Sequence, residues 1–312
     1  MATDVAIGID VGGTKCLGVV VGADGAVVAE RRAPTPPTGD ALIATLRDLI
    51  AGLRDLGGGG CAVGVGVPGL VDASGTLRFA PNLPGIVELP VRAALDGRVV
   101  VGNDATFATW AEATVGAAAG VTDVLMATIG TGIGGGAVIG GRLVGGRHGF
   151  AGEFGHMVVD PAGPRCPCGH QGCWERYASG SGLGWMAREA AHAGAARRVL
   201  ELAGGDPEDV RGEHVTSAAA EGDDEAGAVM ARFAWWLALG LANLATILDP
   251  DVIVLGGGMV EAGEVLLRPA RAAFRELLEG ADHRPPIRLV AAELGERAGA
   301  IGAAAMARHT PA

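Results

Sequence analysis

Basic residues, and lysine above all, are scarce in this chain of 312 residues. It carries 24 Lys and Arg against 35 Asp and Glu, which gives a formal net charge of −11 at pH 7. Nucleic-acid backbones are bound by basic faces, so this balance argues against a general nucleic-acid-binding protein. The one lysine, Lys15, stands in a glycine-rich segment. A compact ammonium on a flexible stem suits a phosphate contact there, and chance placement is the alternative.

Targeting and membrane segments are lacking as well. The first ten residues have no basic stretch and lead directly into an alternating apolar pattern, unlike a signal peptide. The longest apolar run, residues 233–248, is interrupted by Asn243 and Thr246 and is too short for a membrane span. We therefore expect a soluble cytoplasmic protein.

Cysteine is sparse and odd in number, which argues against a disulfide framework. The chain has 5 cysteines. Separately, 49% of its residues are hydrophobic, which over this length suits about two domains with ample cores. Cys166, Cys168 and Cys173 lie close together in sequence. Three thiolates and one imidazole form a closed, structural zinc site, and chance cysteines or a redox pair are the alternatives. The fourth ligand is His156 or His170, since both are near in sequence.

A three-strand meander occurs twice in the pattern of apolar residues and turns. Its strands are expected at 5–9, 16–21 and 26–30, and again at 124–127, 136–139 and 142–144. Each copy has a glycine-rich turn after its first strand, at 10–15 and at 129–135. The backbone N–H groups of such a turn can cradle a phosphate, and two such turns could clamp a nucleotide. An ordinary tight hairpin is the alternative for either turn alone.

Two common nucleotide-binding motifs are excluded. Gly130, Gly132 and Gly135 match the spacing of a dinucleotide fingerprint, but a strand follows them where that fingerprint requires a helix. The phosphate-binding loop of P-loop nucleotidases does not occur in the sequence.

A third cluster, formed by Gly256, Gly257 and Gly258, suits close approach by the adenosine end of a nucleotide. A tight packing turn between a strand and a helix is its alternative.

Strands and helices alternate through the rest of the chain, which predicts an α/β fold with parallel strands. Helices are expected at 40–56, 103–119, 224–248, 261–278 and 296–308, and strands at 62–67, 99–102, 252–255 and 287–291. We expect a smaller domain of residues 1–118 with the C-terminal helix, 296–312, and a larger domain of 119–295 that carries the zinc-binding loop.

Asn103 and Asp104 stand where a buried strand ends and a helix begins. A carboxylate at the carboxyl end of a central strand is well placed to take a proton from a substrate hydroxyl. An ordinary N-cap would also use Asn or Asp at this position.

The segments at 10–15, 152–156 and 166–175 closely resemble the sugar kinases of the ROK (repressor, open reading frame, kinase) family. The similarity continues to residues 298–304, which resemble the family's last helix. It implies an actin-like, hexokinase-type fold of two related α/β domains with a central cleft. Within the family the chain is most similar to ATP-dependent glucokinases of actinobacterial type, which implies transfer of the γ-phosphoryl group of ATP to the 6-hydroxyl of glucose.

The resemblance also implies roles at a sugar site. Asp104 would be the base that accepts the proton of the 6-hydroxyl, and His156 would ligate zinc through one ring nitrogen and touch the sugar through the other. The zinc would thereby shape the sugar pocket. The implied sugar-binding residues are Gly69, Asn103, Asp104, Glu153, His156 and Glu175.

The implied nucleotide site uses the glycine turns. Asp10 would help to place Mg²⁺, and Lys15 would add charge beside the phosphates. The remaining residues expected to bind the nucleotide are Gly12, Gly13, Thr14, Thr131, Gly132, Gly256, Gly257 and Gly258. The implied zinc ligands are His156, Cys166, Cys168 and Cys173.

Several alternatives stay open. The substrate could be fructose, mannose or an N-acyl hexosamine, and the donor could be ADP or polyphosphate. A sugar-responsive repressor of the same family would carry a helix-turn-helix domain ahead of the phosphate turn, for which we expect no room before Val5. The family likeness suggests a homodimer or homotetramer, without a nucleic-acid or membrane partner.

Overall fold

The computed structural model describes residues 5–58, 60–95 and 99–309. The chain divides into two compact units. The first unit is Met1–Leu125, Gly135–Gly152 and Glu293–Ala312, and the second is Met126–Gly134 and Glu153–Ala292. Residues 135–152 thus group with the first unit, whereas the sequence boundary would assign them to the second domain.

The sheet of the first unit has the strand order β3-β2-β1-β4-β8. Its strands are β1 (Ala6–Val11), β2 (Lys15–Val21), β3 (Val27–Pro34), β4 (Ala62–Val67) and β8 (Val99–Asn103). β1 is antiparallel to β2 and parallel to β4, and β4 is parallel to β8. The predicted meander is therefore confirmed. The apolar residues of β1 are buried, as in strands that are covered on both faces.

Among the described residues, four α-helices accompany this sheet. They are α1 (Gly39–Leu53), α2 (Val91–Ala94), α3 (Asp104–Val115) and α10 (Ala298–His309). Small residues allow α10 to lie directly on the sheet, because a Cβ on Gly8 would be only 1.8 Å from the carbonyl oxygen of Ala300. Gly64 is similarly close to α10, since a Cβ added to it would lie 2.0 Å from the carbonyl oxygen of Ala303. A short sheet of β5 (Leu70–Val71), β6 (Leu77–Phe79) and β7 (Val87–Leu89) precedes α2.

The buried carboxylate of Glu112 ties α3 to the segment before α10. It accepts hydrogen bonds from the backbone N–H groups of Ala117 at 2.8 Å and of Leu294 at 2.8 Å, and another from Glu293 at 3.1 Å. Glu112 has no exposed surface, and a buried carboxylate is tolerable only when it is hydrogen-bonded in this way.

A second five-stranded sheet has the order β11-β10-β9-β12-β13. Its strands are β9 (Val124–Ile129), β10 (Ile133–Ile139), β11 (Arg142–Leu143), β12 (Val252–Gly256) and β13 (Arg288–Ala291). The second predicted meander is confirmed, but its turn is shorter than predicted. Gly134 and Gly135 belong to β10, so only residues 130–132 separate the two strands.

Helices make up much of the second unit. Its helices are α4 (Glu175–Ala178), α5 (Gly180–His192), α6 (Arg197–Leu202), α7 (Gly212–Ala220), α8 (Asp224–Leu248) and α9 (Glu264–Leu277). By length and composition α8 could cross a membrane, but 61% of its most apolar window is buried within the protein, as in a core helix. The helix predicted at 261–278 begins later because Gly263 has a φ of 57° and separates a 3-10 turn from α9.

Candidate active site

The first glycine turn connects β1 to β2 and is open to solvent. The N–H of Gly12 donates to the carbonyl of Lys15 at 2.9 Å, which closes the turn. Thr35, which directly follows β3 in the same chain, supports the turn, because its hydroxyl donates to the carbonyl of Gly12 at 2.7 Å and its N–H to that of Thr14 at 3.0 Å. Gly13, Thr14 and Lys15 are exposed. The turn is thus supported by the hydrogen bonds from Thr35, and its exposed residues are accessible to a phosphate.

Two carboxyl groups are buried beside this turn. Asp10 is the penultimate residue of β1, and among the described residues its buried Oδ1 has no hydrogen-bond partner. Burial raises the pKa of Asp10, and the charge of Asp104 raises it further, to about 8, against a smaller lowering by Lys15. A glycine makes room for Asp10, since a Cβ on Gly299 of α10 would lie 2.7 Å from its Cγ.

The start of α3 holds Asn103 and Asp104. The side-chain oxygen of Asn103 accepts from the N–H of Thr106 at 2.9 Å, so this residue is the N-cap that the sequence offered as an alternative. Its amide also donates to the carbonyl of Gly69 at 3.1 Å. Oδ1 of Asp104 accepts from the N–H of Ala105 at 2.8 Å. Burial raises the pKa of Asp104 above its ordinary value, which makes it a better proton acceptor once ionised.

The second glycine turn lies in the second unit and contacts the start of α5. The N–H of Gly180 donates to the carbonyl of Gly130 at 2.8 Å, and the hydroxyl of Ser181 donates to that of Thr131 at 2.8 Å. Thr131 itself is exposed. A cavity of about 890 Å³ opens here, which is the size range of sites for small organic ligands.

The third glycine cluster divides between packing and this cavity. Gly257 has a φ of 82°, and a Cβ there would be 2.4 Å from the carbonyl oxygen of Ile129. A Cβ on Gly256 would be 2.6 Å from Cε of Met126. Gly257 is therefore required for close packing against the backbone, as the alternative interpretation predicted, whereas Gly256 packs against the flexible end of Met126. Gly258 instead lines the cavity, with no atom within 4 Å of a Cβ placed on it.

Most of the cavity lining was not predicted from the sequence. It comes from α5, α7 and the 3-10 turn before α9, and it includes Ser181, Arg188, Arg211, Glu213, Thr216, Ser217 and Met259. The run of small residues at 179–182 was a usable signal, since it allows close approach to the beginning of a helix. No sequence signal marked Arg188 and Arg211 as cavity residues, because α5 and α7 come together only in the folded protein.

Three of the predicted sugar-binding residues come together in the second unit. Nδ1 of His156 lies 3.6 Å from Oε1 of Glu175, and Nε2 lies 4.0 Å from Oε2 of Glu153. Glu175 begins α4, and its Oε2 accepts weakly from the N–H of Ile133 at 3.4 Å. A Cβ on Gly132 would lie 2.7 Å from the same oxygen. The glycine turn and the carboxylate of Glu175 are therefore in contact.

The cysteine cluster is adjacent to His156. Ligand atoms of His156, Cys166, Cys168 and Cys173 all lie within 4.8 Å of one another. Nδ1 of His156 is 3.8 Å from Sγ of Cys166, so this nitrogen faces the thiols while Nε2 faces Glu153. Within the described residues, His156 and not His170 completes this group of four. All five cysteines are described and none forms a disulfide.

The comparisons with known proteins cover nearly the whole chain. Residues 6–310 match the ROK family. A glucokinase of Streptomyces coelicolor is 39% identical over 310 residues, with 97% of each chain covered. An N-acetylmannosamine kinase of Escherichia fergusonii is 33% identical, with 97% of this chain and 98% of the relative covered. The structure is similar, with a TM-score of 0.84, to that of a ROK family glucokinase from Streptomyces griseus in complex with glucose and AMPPNP. That protein is 40% identical, and the match covers 98% of this chain and 100% of the other. This likeness confirms the expected α/β fold class.

Proposed function

Because the chain belongs to the ROK family, we propose that it is an ATP-dependent hexokinase that phosphorylates the 6-hydroxyl of glucose. The observation that carries the proposal lies in the first unit. An exposed glycine turn with a lysine stands beside two buried carboxyl groups, one of which begins a helix at the carboxyl end of a parallel strand. A phosphate-binding turn and a proton acceptor are the two components that phosphoryl transfer to an alcohol needs.

Asp104 is the proposed general base. Its Oδ1 is oriented by the N–H of Ala105, and burial raises its pKa, so the ionised carboxylate is a stronger base than an exposed one. It takes up the proton of the sugar's 6-hydroxyl as the oxygen attacks the γ-phosphorus, and ADP leaves. The proton then stays on the carboxyl until product release.

The sugar's other hydroxyls are assigned to Gly69, Asn103, Glu153, His156 and Glu175. Carboxylates, an amide and an imidazole suit hydroxyls, which both donate and accept hydrogen bonds. An epimer that leaves one of these groups without a partner is penalised, which would produce selectivity among hexoses.

The nucleotide is assigned to the glycine turns and the cavity of the second unit. Gly12, Gly13, Thr14, Thr131 and Gly132 would contact the phosphates through backbone N–H groups, with Lys15 adding charge. Gly258 and the cavity would receive adenosine. Gly256 and Gly257 would belong to the nucleotide site as the supports of that loop.

Mg²⁺ fits the position of Asp10. A buried carboxylate oxygen without a hydrogen-bond partner is costly, and coordination of a hard cation, directly or through water, would satisfy it. The ion would neutralise charge on the transferring phosphates.

Zn²⁺ fits the cluster of His156, Cys166, Cys168 and Cys173. Three thiolates and an imidazole are the donor set of a closed tetrahedral structural site. Bound zinc would hold the ring of His156 through Nδ1 and leave Nε2 to hydrogen-bond the sugar.

The proposal extends to organisation and location. We propose a smaller domain of residues 1–118 and 296–312, a larger domain of 119–295, assembly as a homodimer or homotetramer, and a cytoplasmic enzyme without nucleic-acid or membrane partners. Light scattering on the purified protein tests the assembly.

A substrate panel tests the function. The purified chain with Mg²⁺ and ATP is offered glucose, mannose, fructose, N-acetylmannosamine and N-acetylglucosamine, and phosphorylated product is measured by mass spectrometry. ADP and polyphosphate replace ATP in parallel. We expect the highest kcat/KM for glucose with ATP. The 33% identical N-acetylmannosamine kinase makes that sugar the second candidate, and a preference for it would replace the first.

A further inference from the structure

Glu296 stands against the single lysine of the chain. Nζ of Lys15 lies 2.5 Å from Oε2 of Glu296, across 281 positions of sequence. Oε1 of the same carboxylate lies 2.5 Å from a guanidinium nitrogen of Arg32. The two oxygens of Glu296 thus hold one cation each, and these contacts lower the pKa of Glu296. The residue belongs to the 3-10 turn Gly295–Arg297 that leads into α10.

This contact is one link of a longer ionic chain in the first unit. Nε of Arg32 lies 2.8 Å from Oε1 of Glu30, and Nε of Arg297 lies 2.8 Å from Oε2 of Glu30. An isolated exposed ion pair is weakly ordered, whereas a network fixes its members more firmly. Lys15, Arg32 and Arg297 against Glu30 and Glu296 leave one net positive charge beside the glycine turn. The network therefore does not present a net negative charge to an incoming phosphate.

Lys15 remains available while it is held. Its side chain is 47% exposed and that of Glu296 is 49% exposed, and Lys15 follows the exposed residues Gly13 and Thr14 directly. Its charge also acts on the buried carboxyl of Asp10, whose pKa it lowers against the larger effects that raise it. The ammonium is thus within electrostatic reach of both the turn and Asp10.

We propose that Glu296 is a positioning residue, which holds the ammonium of Lys15 beside the Gly12–Thr14 turn for the phosphates of the nucleotide. A lysine side chain loses much rotamer freedom when it binds a phosphate, and a contact that orders it beforehand removes part of that cost. The inference rests on the proposed kinase function, because it deepens the role of Lys15 in that site.

Amine labelling tests the contact without any assay of activity. A succinimidyl ester at limiting concentration modifies the one lysine side chain, and peptide mass spectrometry separates it from the N-terminal amine. We expect Lys15 of Glu296→Gln to react roughly threefold to tenfold faster than in the wild type, and that of Glu296→Asp to react at an intermediate rate. Glu221→Gln is the matched control, since Glu221 is also exposed and also binds an arginine, Arg198. Labelling of Glu296→Gln at the wild-type rate would overturn the proposal.

Steady-state kinetics test the purpose of the contact. In Glu296→Gln we expect the KM for MgATP to rise roughly threefold to tenfold, with kcat and the KM for glucose within about twofold of the wild type. A general structural defect would move both KM values together and would count against the proposal. An unchanged or lower KM for MgATP would also overturn it, because Glu296 would then be neutral or repulsive toward the phosphates. A wild-type chain that neither phosphorylates a sugar nor binds MgATP refutes the proposed function itself, whatever the labelling rates.

Discussion

Asp10 and Asp104 are two buried carboxyl groups of the first unit whose negative charges repel each other. Burial raises the pKa of both, and the charge of Asp104 contributes to bringing that of Asp10 to about 8. Two like charges in a poorly solvated place are unfavourable, so at neutral pH a proton is retained there in the absence of a cation. This arrangement costs stability, and a bound cation such as the proposed Mg²⁺ would relieve it.

The substitution Asp10→Asn is expected to remove this cost. The folded pKa of about 8 exceeds the ordinary value of 3.8, so between these pH values the folded state binds a proton that the unfolded state has lost. The free energy of unfolding therefore falls as pH rises from about 4 to about 8. Urea denaturation without Mg²⁺ should show the wild type losing about 1–3 kcal/mol relative to Asp10→Asn between pH 5 and pH 8. The exposed control Asp55→Asn should give a curve of stability against pH that is parallel to that of the wild type. If the curve of Asp10→Asn were also parallel to that of the wild type, the prediction would be wrong.

Asp104→Asn is expected to abolish turnover while the protein stays folded. The amide keeps the size of the carboxyl but cannot accept the hydroxyl proton, so kcat should fall by roughly 10²–10⁴. Glucose affinity, measured by calorimetry, should change by less than about threefold, because the other sugar contacts remain. A variant that keeps more than about a tenth of wild-type kcat would eliminate Asp104 as the base.

Removal of the proposed zinc is expected to damage both stability and sugar binding. Cys168→Ser, or prolonged treatment with a zinc chelator, should lower Tm by about 5–10 °C and weaken glucose binding, because the ring of His156 loses its support. Metal content by mass spectrometry accompanies both measurements. Cys61→Ser is the control, since Cys61 lies outside the cluster. Metal-free protein with unchanged Tm and unchanged glucose affinity would show that the cluster serves neither purpose.

Gly132→Ala is expected to impair glucose binding through Glu175. The added Cβ would lie 2.7 Å from Oε2 of Glu175, so the carboxylate has to shift, and the KM for glucose should rise by roughly threefold to thirtyfold. Gly130→Ala is the matched comparison in the same turn, because no atom lies within 4 Å of its Cβ. We expect its KM for glucose to stay within about twofold of the wild type. If the two substitutions raised the KM for glucose equally, the effect of Gly132→Ala could not be attributed to Glu175.

Local signals predicted individual elements well. Helix α8 has the predicted bounds, because Asp223 caps its first turn and Asp249 adopts a left-handed conformation at its end, directly before a proline. The helix predicted at 103–119 ends at Val115 instead, where Gly116 leaves helical geometry. The packing of α3, in contrast, involves Glu112, whose carboxylate accepts hydrogen bonds from residues nearly two hundred positions away. No window of local sequence contains such a contact.

The amino-acid sequence by itself determined the family, the α/β class, the two glycine turns and the donor types for a zinc site, because each depends on residues close together along the chain. Only the tertiary structure shows that the ligand atoms of His156 and the three cysteines lie within 4.8 Å of one another. It likewise decided that Arg188 and Arg211 line the cavity and that Glu296 contacts Lys15. The physical reason is that burial and electrostatic contact depend on distances in space, which packing sets between segments that are remote in sequence.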